Sequence, residues 1–224
     1  MVLTGAQKPA DRPDSDGPSN LRQAVSVAAS RDARSCGALI VFAGRIFPAH
    51  RTRKVHTLAP EPFSTSDGGP VGRVDTDDVR FTSRPFRPPR IARPDHRFDT
   101  TRVDVVAVYP GADDTFPRAA VNAGARGVVL AGTGSGNGNH ALVNWVSEVA
   151  DAGIVVGLST RVPQGPVIPI YGNGGAVDLL SAGAVNLWDT PLYQARVLFA
   201  LLIANEIRID SQAIARHMSS GSER

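Results

Sequence analysis

The apolar positions of this chain fall into two patterns. Short unbroken runs at residues 38–43 and 128–130 read as buried strands, and residues 103–109 and 154–158 read as further strands. Between and around them, apolar residues recur at three-to-four spacing and read as helices. These are Leu21, Ala24, Val25 and Ala28; Phe116, Ala119, Ala120 and Ala123; Leu142, Trp145, Val146 and Val149; and Leu192, Ala195, Leu198, Phe199 and Leu202. Ser19 is placed to cap the first helix and Thr190, before Pro191, to cap the last, while Gly124 and Gly153 stand where helices end. From residue 103 onward strands and helices alternate with short loops, the pattern of a parallel, doubly wound sheet. The first half is less regular. Val2, Leu3 and Thr4 look like the end of a strand with nothing before it, and residues 67–83 look like a hairpin around Gly68-Gly69-Pro70 and Asp77-Asp78. The expectation is therefore an α/β chain with an incomplete N-terminal α/β domain at residues 1–84, an Arg/Pro-rich linker at 85–102, and a smaller C-terminal parallel α/β domain at 103–224. The tail from Ser219 is polar.

Charge adds one asymmetry. Residues 1–102 carry 17 Lys and Arg against 11 Asp and Glu, whereas residues 103–224 carry 7 against 10. Arg84, Arg87, Arg90, Arg93 and Arg97 interleave with prolines, which suits an extended, solvated connector better than a nucleic-acid groove. No nucleic-acid partner is expected, and no apolar run has the length of a membrane span. Cys36 is the only cysteine, so there is no disulfide framework, and a cytoplasmic setting is the default expectation.

The densest local signal is Gly127 to His140, in which a buried strand is followed by glycines at 132, 134, 136 and 138 and then by a helix. At the carboxyl end of a strand in an open α/β sheet, such a loop can line a crevice with main-chain amides, and Asn137 and Asn139 could add side-chain contacts. The same glycines could equally make a tight turn. The spacing fits neither common nucleotide fingerprint, since no Gly-Lys-Ser/Thr follows and Asn137 stands where a dinucleotide loop needs Gly or Ala. A second glycine loop, Tyr171-Gly172-Asn173-Gly174-Gly175, could lie beside the first. Around residue 54, His50, Arg51, Arg53, Lys54 and His56 crowd positive charge together. Either the loop is solvated or one lysine turns inward to a carboxylate. The solitary histidines have no ligand companions at metal-binding spacing, and no metal or cofactor is expected.

Several stretches in order resemble the bacterial-type L-asparaginase family. They are Val2-Leu3-Thr4-Gly5-Ala6-Gln7-Lys8-Pro9 with Ser15-Asp16-Gly17-Pro18-Ser19-Asn20-Leu21; Arg53-Lys54-Val55-His56-Thr57; Gly69-Pro70-Val71-Gly72; Ala131-Gly132-Thr133-Gly134-Ser135-Gly136-Asn137; and Ser159-Thr160-Arg161-Val162-Pro163. The resemblance implies an amidohydrolase that converts L-asparagine and water to L-aspartate and ammonia without a cofactor. It does so through a threonine nucleophile and a second threonine–aspartate–lysine group. Lys54 matches that lysine and is the catalytic residue the resemblance assigns. Asn137 matches an asparagine that reaches the site of a neighbouring subunit, which implies a homo-oligomer. Tyr171 is a further substrate contact to expect, since the glutamate that often follows the Arg-Val-Pro stretch has no match here.

The family motifs Thr-Gly-Gly-Thr and Gly-Thr-Asp-Thr do not occur in the sequence. The expectation drawn from this is a truncated member that lacks the N-terminal part with the catalytic threonines and is inactive alone. A non-catalytic small-molecule binding or oligomerisation module of the same fold is the alternative. With its aspartate missing and Arg51 and Arg53 beside it, Lys54 is expected to reach solvent.

Overall fold

The computed structural model describes residues 1–66 and 68–218, so the tail from Ser219 lies outside the described residues. Two compact units are present, Met1–Arg87 and Pro88–Arg224.

The first unit contains β1 (Val2–Leu3), α1 (Gly17–Ala29), β2 (Leu39–Phe42), β3 (Arg45–Pro48), β4 (Thr52–Lys54), β5 (Phe63–Thr65), β6 (Gly72–Asp75) and β7 (Asp78–Phe81). β1 pairs in parallel with β2, and β3, β6 and β7 extend the sheet in antiparallel fashion, giving the order β1-β2-β3-β6-β7. This corrects the expectation of an incomplete domain with unpaired strands. Val2 and Leu3 face Leu39 and Ile40 across the ladder, and the Met1 carbonyl accepts from the Leu39 amide at 2.9 Å. The sheet also has a core of its own, in which Ala24 and Val27 pack with Cys36, Leu39, Val41, Ile46, Val71 and Val74. The hairpin expected at 67–83 is present as β6 and β7 joined through Thr76 and Asp77, with Thr76 at φ 52°.

Helix α1 differs from its sequence reading in register. Asp16, not Ser19, occupies the N-cap, with Pro18 in the first turn. The buried positions are Asn20, Ala24 and Val27, whereas Leu21 and Val25 are 60% and 61% exposed. The reason is a polar anchor. Asn20 turns inward because its amide group bonds the Gly5 carbonyl at 3.0 Å and the Asp16 carboxylate at 2.8 Å, and its carbonyl accepts from Ala43 N at 3.0 Å. A side chain that makes three such hydrogen bonds outweighs a weak apolar stripe.

The second unit opens with α2 (His96–Thr100), a short helix inside the stretch read as an extended linker. Asp95 caps it, accepting from Arg97 N at 2.9 Å. β8 (Val103–Ala107), α3 (Thr115–Asn122), β9 (Gly127–Gly132), α4 (His140–Asp151), β10 (Val155–Thr160), α5 (Ala176–Ser181) and β11 (Val185–Asn186) follow, then α6 (Leu192–Ala204) and α7 (Ser211–Met218). The sheet is parallel throughout, in the order β11-β10-β9-β8. All of β9 is buried, as its unbroken apolar run requires. Val128 and Leu130 point into a core with Leu142, Trp145, Val146 and Leu179, while Val129 points the other way, to Leu198, Phe199, Leu202 and Ile214. Alternate residues of one strand thus serve two helical layers. Gly153 takes φ 78° just past α4, as a helix-ending glycine should. At the start of α6 the N-cap is Pro191, with no capping side chain. The Thr190 hydroxyl expected to cap it is buried and has no hydrogen-bond partner among the described residues.

Candidate functional site

The first unit presents a cavity of about 250 Å³ lined by Leu3, Thr4, Gly5, Ala6, Ile40, Phe42, Lys54 and Phe63. The fold builds it in two steps. Parallel pairing of β1 on β2 brings the strand end at Thr4 beside Ile40 and Phe42. The β4–β5 ribbon then sets Lys54 opposite Phe63, whose ring meets Phe42 edge-on at 5.2 Å between centroids. Thr4 supplies the one hydroxyl among these lining residues and Lys54 the one charge. The Thr4 hydroxyl donates to the Val41 carbonyl at 2.8 Å, so it turns lone pairs, not its proton, to the cavity.

Lys54 is exposed, as expected of a lysine among like charges. Its ammonium donates to Gln7 Oε1 at 2.7 Å, and Gln7 Nε2 donates to the Thr57 carbonyl at 2.6 Å. The buried cation of the loop is a different residue, Arg51, 5% exposed and at φ 64°, whose Nε donates to Ser66 at 3.1 Å. Behind Gln7 lies Asp16. Its carboxylate accepts from Gln7 N at 2.9 and 3.0 Å, from Lys8 N at 2.8 Å and from Asn20 at 2.8 Å. Burial pushes this carboxyl up, and the two amides and Asn20 more than offset it, leaving it below its ordinary value of 3.8.

In the second unit the glycine loop is a packed turn, not an open crevice. Thr133 and Asn137 close it as a bridge, with Thr133 N donating to Asn137 O at 2.9 Å and Asn137 N to Thr133 O at 2.8 Å. A Cβ on Gly132 would come within 2.7 Å of the Gly136 backbone, and one on Gly136 within 2.7 Å of Val167. The second glycine loop does lie beside the first, since Gly138 N donates to Gly174 O at 3.2 Å and Ala176 N to Asn137 Oδ1 at 3.3 Å. Asn139 is committed to structure: it caps α4 through Leu142 N at 3.0 Å and donates to the Ala112 carbonyl at 2.7 Å. His140 Nε2 lies 2.9 Å from Asn173 Oδ1. Tyr171 is 58% exposed at the head of the second loop. The structure therefore joins Asn137 to the 171–175 loop, and sets Lys54 in the other unit. Among the described residues no group of three or more His, Cys, Asp or Glu is placed to hold a metal ion, and no helix is long and apolar enough to cross a membrane.

Sequence reasoning singled out Lys54 but not Gln7 as its partner. The signal would have been the resemblance itself, which already places Gln7 and Asp16 in one matched stretch.

The chain thus forms two α/β units, one with a lysine lining a hydroxyl-bearing cavity and one with interlocked glycine loops. Comparison with known proteins gives the family. The model described as Glutaminase/Asparaginase C-terminal domain matches residues 102–218, and that described as Asparaginase, N-terminal, matches residues 1–87. The chain belongs to the asparaginase/glutaminase family. A probable L-asparaginase of Deinococcus radiodurans is 34% identical over 91% of this chain and 62% of its own length. The L-asparaginase of Bacillus licheniformis is 30% identical over 92% of this chain and 63% of its own. The chain thus spans a little over three-fifths of these relatives. The fold matches that of a probable cytoplasmic L-asparaginase from Campylobacter jejuni, with a TM-score of 0.82 at 23% identity, over 96% of this chain and 69% of that one.

These matches correct the expectation of a truncated member. Both family domains are represented, and the N-terminal one is matched across residues 1–87, the same span that folds as a compact unit. The inactivity expected from a missing nucleophile segment does not stand, because it depended on reading that domain as incomplete.

Proposed function

We propose that the protein is an amidohydrolase that hydrolyses the side-chain amide of L-asparagine or a similar amino-acid amide with one water, releasing ammonia and the corresponding acid, L-aspartate in the case of L-asparagine. The observation that carries the reading is the placement of Lys54, which puts an oriented ammonium at a small cavity in the unit matched by the family's N-terminal model. An ammonium there favours negative charge, either on the substrate or on oxygen as the amide carbonyl is attacked. Asn137, offered to a neighbouring subunit's site in a homo-oligomer, and Tyr171 are the substrate contacts from the C-terminal unit. The names of the Deinococcus and Bacillus relatives support the substrate class, and the description of the Campylobacter protein supports a cytoplasmic location. The reaction draws on side chains and water alone.

The test is ammonia release from L-asparagine and L-glutamine by residues 1–224, compared with Lys54→Met. Turnover of L-asparagine that falls about a hundredfold in the variant is expected for a group acting in proton or charge transfer. Equal turnover in the two proteins, or none from the unaltered chain, overturns the reading.

A further inference from the structure

We propose that Gln7 is the positioning residue of Lys54, and that Asp16 fixes Gln7 in turn. The inference rests on the reading of Lys54 as a site residue.

Lysine is scarce in this chain. Of 24 Lys and Arg, only Lys8 and Lys54 are lysines, and every other cation of this class is arginine. Both lysines converge on one cluster. Lys54 donates to the Gln7 side chain, and Lys8, the next residue, gives its backbone amide to the same Asp16 carboxylate that holds the Gln7 amide. The Lys8 ammonium is tied separately, to Asp14 at 2.8 Å. A lysine side chain has four rotatable carbons and a compact charge, so it takes a defined place only where an acceptor fixes it.

The Gln7 carboxamide suits that task. Its oxygen faces the ammonium and its nitrogen is bound to Thr57, so the group cannot rotate end for end without losing both bonds. Its backbone cannot drift, because both Asp16 oxygens accept from Gln7 N and Asp16 is itself bound to the buried Asn20. A chain of hydrogen bonds thus runs from the interior face of α1 to an exposed ammonium. A neutral acceptor orients the lysine without neutralising it, so the charge stays available to a substrate. Arg53 and His56 flank Lys54 on its own strand and loop, and the His56 ring accepts instead from the Leu58 and Ala59 amides.

The experiment is competitive labelling of the two lysines with an amine-reactive reagent, read by mass spectrometry in the unaltered chain, Gln7→Leu and Gln7→Glu. An ammonium held against an acceptor presents its nitrogen less freely to the reagent than one that swings in solvent. Gln7→Leu is therefore expected to raise Lys54 labelling about threefold or more, the size of one lost charge-assisted bond at a surface. Lys8 labelling should stay unchanged, and Gln7→Glu, which keeps an acceptor, should restore protection. Labelling that is unchanged at Lys54, or that rises equally at both lysines in Gln7→Leu and Gln7→Glu alike, overturns the assignment. The second pattern would show a loop that has merely opened. Because labelling needs no turnover, failure here is distinct from failure of the amidohydrolase reading.

Discussion

Asn20 and Thr190 are both almost fully buried, at 2% and 3% exposure, yet only one of them does structural work through its polar group. Asn20 bonds two loops and a carboxylate, whereas the Thr190 hydroxyl has no hydrogen-bond partner among the described residues. Neither outcome can be read from residue type, because two of the three partners of Asn20 are 15 and 23 positions away. The same holds for Gln7, 47 positions from Lys54. Lys54 itself was legible, since its neighbours in sequence carry the resemblance. At this scale Asp16 sets a pH dependence. Its folded value lies below its ordinary 3.8 because of the amides it binds. A carboxyl lowered on folding contributes stability that is fully present above the unfolded value and lost as pH falls through the folded one. The Gln7 and Lys8 amides should therefore stay protected from hydrogen exchange at neutral pH and lose protection only below pH 3.8. In Asp16→Asn, protection of these two amides should be weaker at neutral pH and no longer fall with acid. Equal acid sensitivity in both proteins would show that another group governs the loop.

Among the elements, those defined by an unbroken apolar run or a strong helical period were legible: β2, β9, α4, β10 and α6 all fall where the pattern puts them. The elements that escaped are short or polar. β4 and β5 are built mostly from Thr, Arg, Lys and Ser, and they form by pairing with each other. The α2 helix is hidden by the Arg/Pro composition around it and depends on the cap at Asp95. The glycine loop after β9 was visible, but its two readings could be separated only by what lies next to each Cα. Packing settles it in favour of the turn, and this yields a contrast between two glycines. Gly165 has φ 99° with open space around its Cβ direction, whereas Gly136 has φ 104° and Val167 at 2.7 Å. Both alanine variants incur the left-handed backbone cost of about 1–2 kcal/mol. Gly136→Ala adds overpacking against a fully buried side chain, about 1–3 kcal/mol more. Denaturant melts should thus rank Gly136→Ala as about 1–3 kcal/mol more destabilising than Gly165→Ala, and equal losses would mean that Val167 yields freely.

For the whole molecule, the two units differ in how they are stabilised. The C-terminal unit buries a parallel sheet between two helical layers, with separate cores on each face. The N-terminal unit has a single core under α1, and its sheet begins with the two-residue strand β1, 45% exposed at Leu3. Less apolar surface is withdrawn from water per residue, so a lower local stability follows. The sequence supplies a separate probe for each unit. Both tryptophans, Trp145 and Trp188, and all three tyrosines, Tyr109, Tyr171 and Tyr193, belong to the C-terminal unit. The lone cysteine, Cys36, is 3% exposed in the core of the N-terminal one. Fluorescence therefore follows one unit, and reaction of the Cys36 thiol with a disulfide reagent follows the other. In a urea series, Cys36 should become reactive at a lower concentration than that at which fluorescence changes. The buried Trp145 ring should hold its blue-shifted emission through the first step. Coincident transitions would show instead that the units unfold as one cooperative body, with the stability of the larger core shared across both.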